Sequence, residues 1–302
     1  MKILLLGKNG QVGWELQRSL STLGEVIACD FDSPAELKAD FSDPDSLVAL
    51  IRRVRPETIV NAAAHTAVDK AESEPDLARR INALAPGVIA REAAALGASL
   101  VHFSTDYVFD GSGNQPRAED AATGPLSVYG HTKLEGEELI RASGCQHLIL
   151  RTSWVYAARG GNFARTMLRL AAEREELRVI ADQVGAPTGA DLLADVSATA
   201  LRQLSLKPTL SGTYHCAASG ETHWHGYAQF VIEWARLHGK DHGHPVKVAP
   251  DRVLPTLTQD YPTPARRPLN SRLDTAKLRS TFGITLPHWQ LGVQRMLAEV
   301  LG

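Results

Sequence analysis

Residues 2–13 read Lys2-Ile3-Leu4-Leu5-Leu6-Gly7-Lys8-Asn9-Gly10-Gln11-Val12-Gly13. The apolar run over 2–6 is typical of a strand buried on both faces, and a G-x-x-G-x-x-G turn follows it directly. Apolar residues at 12, 16, 20 and 23 then predict a helix that ends at Gly24. Strand, glycine turn and helix in this order indicate a dinucleotide-binding unit, with the pyrophosphate at the helix N-terminus. The alternative is a plain tight turn.

The next predicted strand, over 25–30, ends in an acidic residue. Asp30 lies 17 positions beyond Gly13, and a carboxylate about 20 positions after such glycines normally accepts from the ribose 2′-OH of NAD. No arginine follows Asp30 directly, so the sequence shows no evident clamp for the 2′-phosphate of NADP. Asp30 is alternatively a loop carboxylate that caps the next element.

Strands and helices alternate through the first half of the chain. Strands are predicted over 58–64, 98–103 and 147–155, with helices over 45–54, 68–80 and 82–97. This alternation predicts an α/β protein with a doubly wound parallel sheet, a Rossmann domain over 1–156. Fewer strands and the prolines between Pro245 and Pro268 predict a smaller C-terminal α/β substrate domain over 157–302, with about 182–204 returning to the first domain.

A Y-x-x-x-K pattern, Tyr129-Gly130-His131-Thr132-Lys133, opens another predicted helix. Residues four apart lie on one helix face, so the phenol and the ammonium would point into the same space. A nearby positive charge lowers the pKa of a phenol, which makes the pair a usable acid or base beside a group that gains a hydride. An exposed Tyr–Lys pair that arose by chance is the alternative.

Other candidate residues follow strands, where the carboxyl ends of parallel strands face the ligand crevice. Ser104 to Tyr107 place hydroxyl groups and a carboxylate after the strand at 98–103, and the small residues Ala62 to Ala64 would let a flat cofactor lie close. Asp40-Phe41 could hold an adenine by a hydrogen bond and by ring packing.

Composition narrows the function classes. The formal net charge of −2 predicts no nucleic-acid or anionic-membrane partner. Cys29, Cys145 and Cys216 form no metal-binding or disulfide pattern, and no apolar run approaches the ~20 residues of a membrane span. These features predict a cytoplasmic protein.

Together the motifs resemble the dTDP-4-dehydrorhamnose reductase family of the extended short-chain dehydrogenase/reductase superfamily, over nearly the whole chain. The resemblance rests on segments 7–16, 60–72, 104–109, 128–133, 151–156, 185–189 and 261–268. It implies cofactor contacts, with NADPH or NADH, from Gly7, Gly10, Gln11, Val12, Gly13, Asp30, Asp40, Phe41, Ala62, Ala63 and Ala64.

The resemblance also implies roles in catalysis. Tyr129 would donate the proton, Lys133 would assist it and touch the nicotinamide ribose, and Thr105 would bond the reacting carbonyl. The sugar would contact Asp106, Tyr107 and Trp154, the last at the end of the strand 148–155.

The implied reaction reduces the C4 ketone of dTDP-4-dehydro-L-rhamnose to dTDP-L-rhamnose, the last step in making this precursor of cell-surface polysaccharide. Two alternatives remain open: a reductase or epimerase of another nucleotide sugar, and a non-catalytic NADP-binding regulatory subunit. The complete Thr105, Tyr129 and Lys133 set argues against the second, because a pure binder need not retain an acid/base.

The resemblance further implies a homodimer, and members of the family can bind Mg²⁺ at the dimer interface through three carboxylates. Glu15 and Asp191 match two of these positions, but Gln290 stands at the third. An amide oxygen is a weaker Mg²⁺ ligand than a carboxylate. Glu15 and Asp191 are equally well explained as surface helix charges.

Overall fold

The computed structural model describes residues 1–239 and 246–302. Pro245, the first of the prolines noted above, lies outside this range. The strands are β1 (Lys2–Leu6), β2 (Glu25–Cys29), β3 (Thr58–Asn61), β4 (Ser99–Thr105), β5 (His147–Thr152), β6 (Val155–Tyr156), β7 (Leu177–Ile180), β8 (Val184–Gly185), β9 (Thr188–Gly189), β10 (Gly212–His215), β11 (Thr222–His223) and β12 (Val253–Thr256).

A parallel sheet of six strands, counted over the described residues, has the order β10-β5-β4-β3-β1-β2. The chain builds outward from β1 to β2 and then crosses back to β3, which pairs with the other side of β1. The prediction of a doubly wound α/β fold is therefore confirmed. The register aligns Leu6 with Asn61, and Thr105 with Thr152, so these carboxyl ends share one edge of the sheet.

The helices are α1 (Gln11–Leu20), α2 (Pro44–Val54), α3 (Val68–Ser73), α4 (Pro75–Arg79), α5 (Ala85–Leu96), α6 (Val128–Ala142), α7 (Phe163–Glu173), α8 (Ala190–Leu206), α9 (Trp224–His238), α10 (Ala276–Phe282) and α11 (Trp289–Leu301). A π-helical turn, Arg80–Leu84, joins α4 to α5. Among the helices of the described ranges, none has the length and apolar character needed to cross a membrane.

Apolar side chains alternate between two cores along β1. Ile3 and Leu5 face a cluster formed with α1 and α8, whereas Leu4 and Leu6 face one formed with α2 and α5. Helices therefore cover both faces, and all four of these side chains are fully buried. This burial explains why β1 reads as a continuous apolar run instead of an alternating one.

A third apolar cluster lies in the C-terminal part of the chain. Tyr156, Met167, Tyr227, Val231 and Trp289 pack there, mainly from α7, α9 and α11. In the same part, β7 pairs with β12 in a small parallel sheet. α8, at 190–206, packs instead on the sheet core beside α1. The domain division at residue 156 stays a prediction.

The strand predicted over 147–155 is shorter in the structure. β5 ends at Thr152, and Trp154 adopts a left-handed backbone with φ of 50°. A non-glycine residue in that region cannot continue a strand. The placement of Trp154 at a strand end was therefore wrong, because it lies in the turn between β5 and β6.

Candidate active site

The glycine turn brings two backbone segments into contact. Gly7 has φ of +86°, and a Cβ there would lie 2.7 Å from the backbone nitrogen of Ala63. At Gly13, an added Cβ would lie 1.9 Å from the carbonyl oxygen of Gly7. Gly10 is the N-cap of α1 and makes no side-chain cap hydrogen bond. The end of the helix thus presents backbone to the cleft, as a pyrophosphate site requires.

A cleft of about 990 Å³ runs from this turn along the carboxyl edge of the sheet. It is lined by every residue predicted to touch cofactor or substrate except Gly13. Gly13 lies behind the turn and allows the close approach of α1 to Gly7. The cleft is also lined by residues that sequence reasoning missed, among them Phe31, Lys38 and Trp224.

Asp30 lies at one end of the cleft, where β2 ends. Its two carboxylate oxygens accept from the backbone nitrogens of Asn9, at 3.0 Å, and Phe31, at 2.8 Å. Lys38 lines the same region with its Nζ 3.3 Å from Asp40 Oδ2. Lys38 is therefore a cation at the same end of the cleft as Asp30, although its ion pair is with Asp40. Lys38 was not found in sequence because it follows Asp30 by eight positions across an irregular segment.

The two phenylalanines near this end differ in exposure. Phe41 is only 8% exposed and belongs to the core beside α2, whereas Phe31 is 66% exposed and lines the cleft. Phe41 therefore offers little ring surface to a ligand, and Phe31 offers more.

Helix α6 is held at its start by two side chains. Ser127 Oγ accepts from the backbone nitrogen of Gly130 at 3.2 Å, and Glu72 Oε1 accepts from that of Val128 at 2.8 Å. A Cβ at Gly130 would lie 2.4 Å from the carbonyl oxygen of Tyr107. Because only glycine permits this approach, the first turn of α6 lies directly against the turn after β4.

Tyr129 and Lys133 both line the cleft, as their spacing predicted. The pKa of Tyr129 is raised to about 12 by burial, although the Thr105 hydroxyl lowers it. The phenol is therefore protonated at neutral pH and can serve as a donor. The Tyr129 ring meets Tyr107 edge to face, with centroids 5.4 Å apart.

Lys133 is 1% exposed, and its Nζ donates to the carbonyl oxygen of Phe103 at 2.6 Å. Burial lowers its pKa to about 8, against the opposite influence of Glu137. The ammonium thus points towards β4, and the effect on the pKa of Tyr129 expected from the sequence is not seen in this arrangement.

Thr105 and Asp106 form a small polar unit beside the phenol. Thr105 Oγ1 donates to Asp106 Oδ1 at 3.1 Å and accepts from the backbone nitrogen of Tyr107 at 3.2 Å. Burial raises the pKa of Asp106 to about 6, while the nearby hydroxyl groups of Ser271 and Thr105 lower it. Asp106 Oδ2 is buried and has no partner among the described residues. That oxygen is suited to accept from a ligand hydroxyl.

Trp154 stacks on Trp224, with ring centroids 3.7 Å apart and planes inclined by 17°. A Cβ at Gly185 would lie 3.0 Å from the Trp154 ring, and Trp224 Nε1 donates to Gln183 Oε1 at 3.1 Å. Both indoles line the cleft. Trp154 therefore both lines the cleft and belongs to its aromatic packing.

The predicted magnesium ligands lie outside the cleft. Glu15 is 3.7 Å from Arg18, and Asp191 is 3.7 Å from Arg295. Burial raises the pKa of Glu15, with Arg18 lowering it and Asp191 raising it, so the two carboxylates lie near each other. Within 1–239 and 246–302, no three His, Cys, Asp or Glu side chains form a group that could hold a metal. The residues present do not fit a magnesium site.

Comparisons with known proteins cover almost the entire chain. The model of the family described as RmlD substrate binding domain matches residues 1–301. The dTDP-4-dehydrorhamnose reductase of Escherichia coli K12 is 55% identical over 300 residues, which cover 99% of this chain and 98% of that protein. The enzyme of that name from Shigella flexneri is 54% identical over 300 residues, with the same coverage of both chains.

Solved structures agree with the sequence comparison. A dTDP-4-dehydrorhamnose reductase from Clostridium acetobutylicum has a TM-score of 0.87 and 36% identity, covering 99% of both chains. The Bacillus anthracis enzyme, solved in complex with NADP, has a TM-score of 0.86 and 32% identity, again covering 99% of both chains.

A glycine-turn cleft that also contains a tyrosine and a buried lysine marks the chain as an NAD(P)H-dependent oxidoreductase of the short-chain dehydrogenase/reductase type. Within that class the chain belongs to the dTDP-4-dehydrorhamnose reductase family.

Proposed function

We propose that this protein reduces the C4 ketone of dTDP-4-dehydro-L-rhamnose to dTDP-L-rhamnose, with NADPH or NADH as the reductant. The observation that supports this most directly is the placement of Thr105, Tyr129 and Lys133 together in one cleft with the glycine turn. Relatives more than 50% identical over nearly their whole length carry the name of this activity.

The cofactor would lie along the carboxyl edge of the sheet, and when bound it would supply the hydride. Gly7, Gly10, Gln11 and Val12 would hold its pyrophosphate at the start of α1, where they line the cleft. Asp30 would accept from the ribose hydroxyl at the adenosine end, and Asp40 and Phe31 would lie beside the adenine.

Tyr129 would give its proton to the C4 oxygen as negative charge develops there. A donor protonated at working pH is needed for this step, and burial, which raises the pKa of Tyr129 to about 12, keeps the phenol protonated. Thr105 would turn its hydroxyl from Asp106 Oδ1 to the same oxygen and stabilise the developing charge. Lys133, anchored on Phe103, would touch the nicotinamide ribose and stabilise the phenolate left behind.

The sugar would be held between Asp106, Tyr107 and Trp154. Asp106 Oδ2 is available to accept from a sugar hydroxyl, and the indole of Trp154 offers a flat wall for the C–H face of the ring. Trp224 stacks on that indole and holds its orientation.

Wider features of the function are also part of the proposal. The enzyme would work in the cytoplasm as a homodimer, and its product would supply cell-surface polysaccharide. A domain boundary near residue 156 would separate cofactor binding from sugar binding. Size-exclusion chromatography with light scattering measures the oligomeric state, and a monomer at micromolar concentration would contradict the dimer.

The experiment that tests the function is a kinetic comparison of nucleotide sugars. Purified protein is mixed with NADPH and dTDP-4-dehydro-L-rhamnose, or with other 4-keto nucleotide sugars, and the nicotinamide absorbance is followed. We expect the highest kcat/KM with the dTDP-rhamnose precursor. A higher value with another sugar would favour the alternative reductase, and no oxidation with any sugar would favour a regulatory subunit.

A further inference from the structure

Below the cleft, three buried polar side chains form a row. Only one of them, Lys133, has a role in the proposed reaction. Lys133 Nζ lies 3.2 Å from His102 Nε2, and His102 Nδ1 lies 3.1 Å from Asn61 Nδ2. None of the three side chains is more than 1% exposed. The row joins α6 to β4 and β3, directly under the edge that carries Thr105.

The amide of Asn61 fixes the direction of the hydrogen bonds in this row. Its Oδ1 accepts from the backbone nitrogen of Ala63 at 3.0 Å, in the wall that lines the cofactor cleft. The Nδ2 group is therefore the one that faces His102, and it can only donate. Nδ1 of His102 must accept, so the proton of the neutral imidazole is on Nε2.

That proton points at Lys133. An ammonium group has three donors and no acceptor, so it meets Nε2–H donor to donor. A neutral amine has a lone pair that accepts from Nε2–H, while one of its own hydrogens still reaches the Phe103 carbonyl oxygen. The row is therefore complete only when Lys133 is uncharged.

Other charged groups around Lys133 do not reverse this preference. Glu137, on α6, is the charged group that raises the pKa of Lys133, and Arg151, on β5, bonds its carboxylate. His102 on β4 and Asn61 on β3 complete the row. The carboxylate of Glu137 already accepts from Arg151 at 2.7 Å, and burial outweighs its influence on the pKa of Lys133. Burial also holds the pKa of His102 well below its ordinary value, so the imidazole stays neutral.

We propose that His102 is a positioning residue that donates its Nε2–H to Lys133 and thereby favours the neutral amine. Its role rests on the proposed function, in which Lys133 must be charged to support Tyr129. With His102 in place, Lys133 would lose its proton at a lower pH than it would through burial alone. Activity would therefore also be lost at a lower alkaline pH.

The first test needs no substrate and so is independent of the proposed function. The ¹⁵N chemical shifts of His102 in the wild-type protein, assigned through the backbone, report its tautomer. We expect a neutral ring with its proton on Nε2 from pH 6 to pH 9, because burial disfavours the charged imidazolium. A proton on Nδ1, or an imidazolium in this range, overturns the proposal.

The second test uses the substitution His102→Gln. The amide oxygen of glutamine can accept from the ammonium, so the alkaline limb of kcat/KM should move up by about one pH unit. His147→Gln is the matched control, since His147 lies outside the cleft and bonds the Cys145 carbonyl. The alkaline limb of kcat/KM for the His147→Gln enzyme should match that of the wild-type enzyme. An unmoved limb in an active His102→Gln enzyme overturns the proposal, and so does an equal shift in the control.

Discussion

Lys133 Nζ donates a 2.6 Å hydrogen bond to the carbonyl oxygen of Phe103. This bond ties the helix that carries Tyr129 to the strand that ends at Thr105. The three residues proposed for catalysis therefore lie on two elements that are joined by a direct hydrogen bond. Precise placement of this kind is what proton transfer between a side chain and a reacting oxygen requires.

We predict that Tyr129→Phe removes most of the turnover and spares cofactor binding. The ring keeps its edge-to-face contact with Tyr107, and only the proton donor is lost. General acid catalysis contributes about 10²–10⁴-fold, so kcat should fall within that range. The measurement is steady-state kinetics together with NADPH affinity by fluorescence titration.

Lys133→Met should differ from Tyr129→Phe in its effect on the cofactor. It should lower turnover and also weaken NADPH binding, because the ribose contact is lost as well. A Tyr129→Phe enzyme with kcat within a few-fold of wild type would falsify the assignment of Tyr129 as the proton donor.

We predict that Asp30→Ala and Lys38→Ala shift cofactor preference in opposite directions. Removing the carboxylate loses an acceptor for the ribose 2′-OH and relieves repulsion of a 2′-phosphate, which favours NADPH. Removing Lys38, which pairs with Asp40, loses a cation that could attract a 2′-phosphate at this end of the cleft, and this favours NADH. The quantity to compare is the ratio of kcat/KM for the two cofactors in each variant. If both variants keep the wild-type ratio, neither residue faces the adenosine ribose.

We predict a pH-dependent stabilisation by Asp106→Asn. The pKa of Asp106 is about 6 in the folded protein and 3.8 as its reference value, because burial disfavours the charge. Between these values the folded state binds more protons, so stability falls as pH rises and the penalty is complete above about pH 6. The difference in melting temperature, variant minus wild type, should therefore increase from pH 4.5 to pH 8.

The shift of about two pKa units corresponds to roughly 3 kcal/mol at most. The neutral amide still offers an oxygen to Thr105, so the local hydrogen bond is retained. A difference in melting temperature that stays constant over this pH range contradicts the burial of an ionisable Asp106. The same variant should lose activity, since the amide nitrogen cannot accept from the sugar.

We predict that Trp154→Ala raises KM for the nucleotide sugar and leaves NADPH affinity unchanged. Because the Trp154 ring is only partly buried and stacks on Trp224, its loss should also cost stability, though less than the about 3–5 kcal/mol of a buried tryptophan. Trp14→Ala is a suitable control, as Trp14 is 45% exposed and lies outside the cleft. Normal kinetics in folded Trp154→Ala protein would remove this indole from the sugar site.

The sequence was sufficient to predict the parallel sheet and most of the residues that line the cleft. β1 is buried on both faces, so its apolar run marks it clearly, and the glycines follow from backbone contacts that no other residue allows. Tyr129 and Lys133 were placed correctly because helical spacing alone puts them on one face. These features depend on local periodicity and on chain geometry, which a sequence displays directly.

Contacts between distant segments could not be predicted in this way. Trp154 and Val155 are residue types that favour strands, yet β5 ends at Thr152 and Trp154 stacks on Trp224, which lies seventy residues further along the chain. Likewise, the hydrogen bond proposed to favour the neutral form of Lys133, on α6, comes from His102, on β4. Burial and packing between separate elements decide these positions, and neither has a local signal.

The most direct test of the central claim follows the hydride itself. Nicotinamide cofactor carrying deuterium at its transferable position is mixed with dTDP-4-dehydro-L-rhamnose and the purified protein, and the product is analysed by mass spectrometry and NMR. We predict dTDP-L-rhamnose with one deuterium at C4, formed by wild type and almost absent with Tyr129→Phe. Deuterium at another carbon, or a product without deuterium, would contradict the reduction of the C4 ketone.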